Sequence, residues 1–212
     1  LRFNRADVVV QGTAFGSVVA GSGALVQAGS GTTVFNGTNA HTGSVTVTSG
    51  TLQFGDGGAT GSGIGLGGSL SLAAGTQLRF NRSNTITQGA DFATVISGSG
   101  DLVQNGSGVL VLSGSNTFTG STFLNSGVLR LGGSSGSELG APATSGTLFA
   151  NGGSLDFGAY SNFTIGALVG NGPVNLPSGV TLSIGNSKGY NSTYSGSISG
   201  AGGVLKVGGG SL

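Results

Sequence analysis

Cysteine, methionine and tryptophan are absent from the 212 residues, and there are three prolines and only 6% charged residues. Without cysteine there is neither a disulfide framework nor a thiolate metal site, so stability requires no particular redox compartment. Seven basic against six acidic residues leave a formal net charge of +1. That balance supplies no electrostatic footprint for nucleic acid or an anionic membrane. No apolar run approaches the roughly 20 residues of a membrane-spanning helix, and no basic-then-apolar signal peptide opens the chain. Sustained helical amphipathicity is missing too, because no stretch keeps the helical period for long enough to make a helix.

What is present is glycine, 47 residues of it, together with 36% hydrophobic residues and a mean hydropathy of +0.27. Glycine at this level without a period would suggest low complexity. Here there are apolar side chains to bury and too little charge to keep the chain solvated, which favours an ordered, turn-rich fold.

The period is visible. ISGSGDLVQNGSGVL at 96–110 has close relatives in VAGSGALVQAGSGTT at 19–33 and ISGAGGVLKVGGGSL at 198–212. Leu1-Arg2-Phe3-Asn4-Arg5 returns as Leu78-Arg79-Phe80-Asn81-Arg82, an offset of 77 in sequence number, and Leu155-Asp156-Phe157 opens a third copy. The copies are therefore 1–77, 78–154 and 155–212 of a single segment. Within the third copy the register slips, since Ile96 matches Ile198 at an offset of 102. The extra length is easiest to accept as one whole turn, which predicts a turn of about 25 residues and about three turns per copy. The chain starts and stops inside repeat copies and reads as a fragment of something longer.

A shorter phrase recurs between these landmarks: GTLQF (50–54), GSLSL (68–72), GVLVL (108–112), GVLRL (127–131), GTLFA (146–150), GSLDF (153–157) and GVLKV (203–207). Each predicts a short strand after a glycine corner, with Leu and the residue two later on one face. Asn-Gly pairs at Asn36, Asn105, Asn151 and Asn171 predict tight turns. Strands, corners and period together predict an all-β parallel solenoid of roughly eight to nine coils, with an apolar axis and about three strands per coil. The stretches 56–68 and 133–147, poor in Leu and Val, are expected to be outward loops.

The residues Ile96-Ser97-Gly98-Ser99-Gly100, Leu110-Val111-Leu112-Ser113-Gly114, Asn116-Thr117-Phe118-Thr119-Gly120 and Gly127-Val128-Leu129 resemble the autotransporter-associated β-strand repeat, also called the passenger-associated transport repeat. The first copy carries Asn39-Ala40-His41-Thr42-Gly43 at the Asn-Thr-aromatic-Thr-Gly position. The resemblance implies a right-handed parallel β-helix in the secreted passenger of a Gram-negative autotransporter, at the cell surface or outside it and anchored through a part not in this segment. It implies a non-enzymatic stalk that supports adhesion, surface display or assembly, against a host or neighbouring-cell surface or a glycan. A filament-forming matrix subunit and a carbohydrate-active β-helix enzyme are the alternatives.

Motifs for chemistry are thin. His41 is the only histidine, and its equivalent in the second copy is Phe118, so the position takes an aromatic ring and the imidazole reads as packed. The six carboxylates are scattered singly, whereas polysaccharide cleavage needs acid and base to converge. No catalytic residue, metal site or cofactor is assigned. The arginine pairs Arg2 with Arg5 and Arg79 with Arg82, three turns apart on this reading, would line one face and could grip an anionic glycan. Against that stands their use as charged gatekeepers flanking strands. Thr-x-Thr pairs at Thr46–Thr48 and Thr85–Thr87 would suit an ice-binding face if they recurred on every coil, and in the sequence they do not. With no polar cap in view at Leu1 or Leu212, association end to end is expected.

Overall fold

A computed structural model of the chain describes residues 1–16, 18–61, 63–134, 136–140, 146–185 and 189–212. All regular structure among them is β, in short strands that pair only in parallel. The longest sheet has nine strands and runs the length of the molecule from Val8–Val10 to Thr193–Tyr194. Beside it lie a five-stranded sheet from Arg2–Phe3 to Val95–Gly98 and a four-stranded sheet from Ile86–Thr87 to Ser154–Asp156. A three-stranded sheet of Asn162–Ile165, Thr181–Ile184 and Gly203–Lys206 completes the later coils. Pairing each strand with one a coil away, never with its sequence neighbour, makes this a parallel β-solenoid of about eight turns.

Six of the seven recurring phrases bury the residues the alternation predicts: Leu52 with Phe54, Leu70 with Leu72, Leu110 with Leu112, Leu129 with Leu131, Leu148 with Ala150, and Leu155 with Phe157. Each large inward side chain contributes about 1.5–3 kcal/mol by leaving water. The seventh is inverted. Leu205 pairs with the half-buried Ser183 on the outer face of its strand, while Val204 and Lys206 continue the inward files of Leu182 and Ile184.

Coil length departs from the uniform turn that the sequence predicts. Along the nine-stranded sheet Val8 pairs with Thr32, Thr32 with Thr51, Thr51 with Gln77 and Gln77 with Asp101, steps of 24, 19, 26 and 24 in sequence number. Leu102 then pairs with Thr122, Thr122 with Leu148, Thr147 with Ala167 and Val169 with Thr193, steps of 20, 26, 20 and 24. The average is about 23, so one copy spans about three and a third coils. Successive copies therefore advance by one sheet. Arg2–Phe3 lies in the five-stranded sheet, its equivalent Gln77–Phe80 in the nine-stranded sheet, and Ser154–Asp156 in the four-stranded sheet.

The four Asn-Gly pairs all fall at one corner, immediately after strands of the nine-stranded sheet. There Asn125 Nδ2 donates to Asn105 Oδ1 at 3.1 Å and Asn151 Nδ2 to Asn125 Oδ1 at 2.8 Å, a ladder of amides along the rod. Glycine is required where coils touch at corners. A Cβ on Gly106 would stand 2.2 Å from the Arg82 backbone, and one on Gly63 would stand 1.7 Å from the Asn39 carbonyl oxygen.

The two expected outward loops are only partly outward. Residues 56–60 are exposed, but Gly61 and Gly63–Gly65 are buried and Ile64 enters the core. In the second stretch Glu138 and Leu139 are buried, and positions 62, 135 and 141–145 lie outside the described residues.

Candidate functional site

The four candidate arginines do not form one surface. Because the copies advance by a sheet, Arg2 stands on the five-stranded sheet and Arg79 on the nine-stranded one. Arg5 is exposed and donates through Nε and Nη2 to Asp7 at 2.9 and 2.6 Å, and this pairing holds the Asp7 carboxyl below its ordinary range. Arg79 donates to Gln77 Oε1 at 2.7 Å. Arg82 is buried and engages four of its five N–H groups: it donates to the carbonyls of Gly61 and Ala59 and twice to Asn84 Oδ1. Burial pushes its guanidinium down, and Asp91 and Asp56 pull it back up. Its work is to fold the 59–61 segment back onto the coil, and a buried guanidinium with four of its five N–H groups so occupied is poorly placed to grip a glycan.

His41 is equally structural. Its Nδ1 accepts from Gly65 N at 3.3 Å and Nε2 lies 2.6 Å from Gly23 O, so Nε2 carries the proton and the ring bridges neighbouring coils. Among the described residues no hydroxyl or carboxylate hydrogen-bonds to it.

Each acid is used locally. Asp56 accepts from Asn36 Nδ2 and Gly58 N, Asp91 from Thr87 N, and Asp101 from Ser121 N. Asp156 accepts from Gly158 N and from Arg130 Nε of the adjacent coil, which together lower its carboxyl pKa. Glu138 accepts from the Tyr160 hydroxyl at 2.5 Å. Among the described residues no group of three His, Cys, Asp or Glu could hold a metal ion.

The polar device the sequence reading missed is an amide clasp. In the second copy Gln88 Nε2 donates to Asn116 Oδ1 at 2.7 Å and Asn116 Nδ2 donates to Gln88 Oε1 at 3.2 Å. Asn116 also accepts from Ile96 N at 2.8 Å and donates to Glu138 O at 2.8 Å. The first copy repeats it with Gln11 and Asn39, where Asn39 accepts from Val19 N and donates to Gly37 O. All four side chains are buried. The signal was available: Gln11 and Gln88, like Asn39 and Asn116, occupy equivalent positions of the two copies, and the Asn is the first residue of the Asn-Thr-aromatic-Thr-Gly phrase.

A second feature emerges only in three dimensions. Thr46 pairs with Ser71 and Ser71 with Ser97, while Thr117 N donates to Ile96 O, placing Thr117 next in the same outward file. The steps in sequence number are 25, 26 and 20, and this unevenness hides the recurrence from a reading at one fixed spacing. Thr-x-Thr itself does not recur on every coil, since Ser71-x-Ala73 and Ser97-x-Ser99 stand between Thr46–Thr48 and Thr117–Thr119, but hydroxyl-bearing residues do.

Shallow cavities open on the described surface. One of about 340 Å³ lies at the first coil between Phe15, Val19 and His41, and two of about 350 and 230 Å³ flank Tyr160.

The passenger-associated-transport-repeat family model matches the chain twice, at residues 25–54 and 102–131. The two matches fall at equivalent places in their copies and yet begin on different sheets, the first at Leu25–Gln27 and the second within Asp101–Gln104. The chain is also similar to the adhesin BmaC autotransporter of Brucella suis biovar 1 (strain 1330), 36% identical over 143 residues that cover 54% of this chain. It spans 4% of the length of that relative. No solved structure matches the chain.

Proposed function

We propose that the chain is a structural segment of an autotransporter passenger, a non-enzymatic stalk displayed at or released from the surface of a Gram-negative bacterium. The observation that carries this reading is the passenger repeat, matched twice and folded as a solenoid in which His41, Arg82 and Asp156 join neighbouring coils. Similarity to a protein named an adhesin supports a role in adhesion to a host or neighbouring-cell surface or its glycans. Large apolar side chains are exposed chiefly at the two ends: Leu1, Val8 and Val18 in the first coil, and Val204, Leu205 and Leu212 in the last. An exposed solenoid end offers unpaired strand edges as well, and it suits stacking by a further coil or by a second copy.

Electron microscopy of cells carrying the full-length parent, with this segment labelled, tests the stalk. Label along a thin rod between the membrane and a distinct tip is the expected result. Label confined to the cytoplasm or periplasm would overturn it. Label tracking a regular polymer would favour the filament reading instead, and sedimentation of the isolated segment against concentration would show whether its ends associate.

A further inference from the structure

On the outer face of the five-stranded sheet the middle file runs Arg2, Val26, Thr46, Ser71 and Ser97, and its last three ranks, continued by residues 115–119 of the next coil, form a hydroxyl array. Val45, Val47, Leu70, Leu72 and Ile96 point inward and are buried, so the residues between and beside them face out. The middle outward file is Thr46, Ser71, Ser97 and Thr117. Ala73 N donates to Val47 O, Ser99 N to Leu72 O and Thr119 N to Gly98 O, so a second file is Thr48, Ala73, Ser99 and Thr119. By the same register a third file is Ser44, Ser69, Val95 and Ser115.

Ten of these twelve positions are Ser or Thr, and none carries a charge. Only Thr48 and Ser97 spend their hydroxyls on the backbone, donating to Gln27 O and Leu70 O. The other hydroxyls make no side-chain hydrogen bond among the described residues. Strand spacing sets ranks about 4.8 Å apart, and two residues along a strand set files about 6.7 Å apart.

We propose that this face binds ice. A regular, uncharged lattice of hydroxyls with interspersed methyl groups, at spacings close to the oxygen repeats of ice, can order water into positions a growing crystal accepts. Charged side chains would hold water in orientations that do not continue the lattice; these four ranks have none, and Arg2 stands two ranks before Thr46 in the middle file. A glycan fits the face less well, because it offers no ring to stack on and no carboxylate or amide to make paired hydrogen bonds. The inference is independent of how the chain is secreted or what else it adheres to.

The test is ice-crystal shaping and recrystallisation by the purified chain, with Ser71→Tyr and Ser97→Tyr in the middle file and Thr164→Tyr and Ser183→Tyr on the outer face of the three-stranded sheet. The expected result is that the parent and the latter pair shape ice and the former pair do not, with all melting temperatures alike. A parent that leaves crystal growth unchanged would overturn the proposal. So would shaping that survives both middle-file substitutions, or a dimer that those substitutions disperse in sedimentation while ice growth never changes.

Discussion

Copies one and two hold the same clasp in different surroundings. Gln11 with Asn39 follows a strand of the nine-stranded sheet, and Gln88 with Asn116 follows a strand of the four-stranded sheet. What the copies share is therefore local: a turn, its buried amide pair, and a strand phrase. What they do not share is the face on which these stand. Side chains that answer to their surroundings diverge accordingly. Arg5 pairs with Asp7 in water, whereas Arg82, with Asn84 in place of the aspartate, is buried against a folded-back loop. Gln27 receives a hydrogen bond from Thr33 at 2.6 Å, whereas Leu110 replaces that threonine and leaves Gln104 Oε1 buried without a partner. The interior changes as well. Phe35, Phe54 and Phe80 form one inward file of the nine-stranded sheet, and Gln104, Leu124 and Ala150 continue it, while Phe123 and Phe149 stack 4.5 Å apart in the outward file.

The largest effect expected from breaking this comparison comes at the clasp. Asn116→Ala strands buried groups on Gln88, Ile96 and Glu138 and should cost about 3–5 kcal/mol in chemical denaturation. Asn39→Ala should cost less, because Asn39 spends its second donor within its own coil and Asn116 reaches to the next. Equal losses would mean that the inter-coil bond adds nothing. Next, Arg82→Ala should cost about 2–4 kcal/mol by orphaning the Gly61 and Ala59 carbonyls. Arg5→Ala, removing an exposed pair, should leave the melting curve unchanged. A smaller effect is due at Thr33→Val, about 1–2 kcal/mol, since it gives copy one the unpaired glutamine that copy two already has.

The smallest effect is acid sensitivity. Hydrogen bonds from Asn36 and Gly58 lower the Asp56 pKa, and those from Gly158 and Arg130 lower that of Asp156. Their stabilisation is complete above the ordinary carboxylate pKa of about 3.9 and is lost as pH falls through the depressed folded values. Denaturation midpoints at neutral pH and about pH 2 should differ less in an Asp56→Asn, Asp156→Asn double variant than in the parent. The Arg82 loop contacts should hold across this range, because carbonyls and an amide do not titrate.

The fold was legible because its determinants are short. A glycine corner followed by Leu-x-Leu specifies a strand, its inward face and its boundary, and only Gly203–Lys206 reverses the face. The Asn-Gly corners were equally plain. The coil length was not, because steps as unequal as Thr32 to Thr51 and Thr51 to Gln77 hide behind a copy period that is not a whole number of coils. That single unknown decided the surface. It put Arg2 and Arg79 on one face where the structure has two, and it concealed the file of Thr46, Ser71, Ser97 and Thr117. The role of Arg82 could not be read at all, since nothing local to it announces that residues 59–61, a coil away, will fold onto it.

The central claim is that a copy covers about three and a third coils, and the absence of cysteine makes it directly testable by cross-linking. Val103 and Phe123 are paired Cα partners in the outward file, at the separation of neighbouring strands, which a disulfide can span. Under the uniform turn that the sequence predicts, the partner of Val103 would instead be Val128. The account predicts that Val103→Cys with Phe123→Cys oxidises to an intramolecular disulfide while Val103→Cys with Val128→Cys does not. Efficient bridging of the second pair, with none in the first, would contradict it.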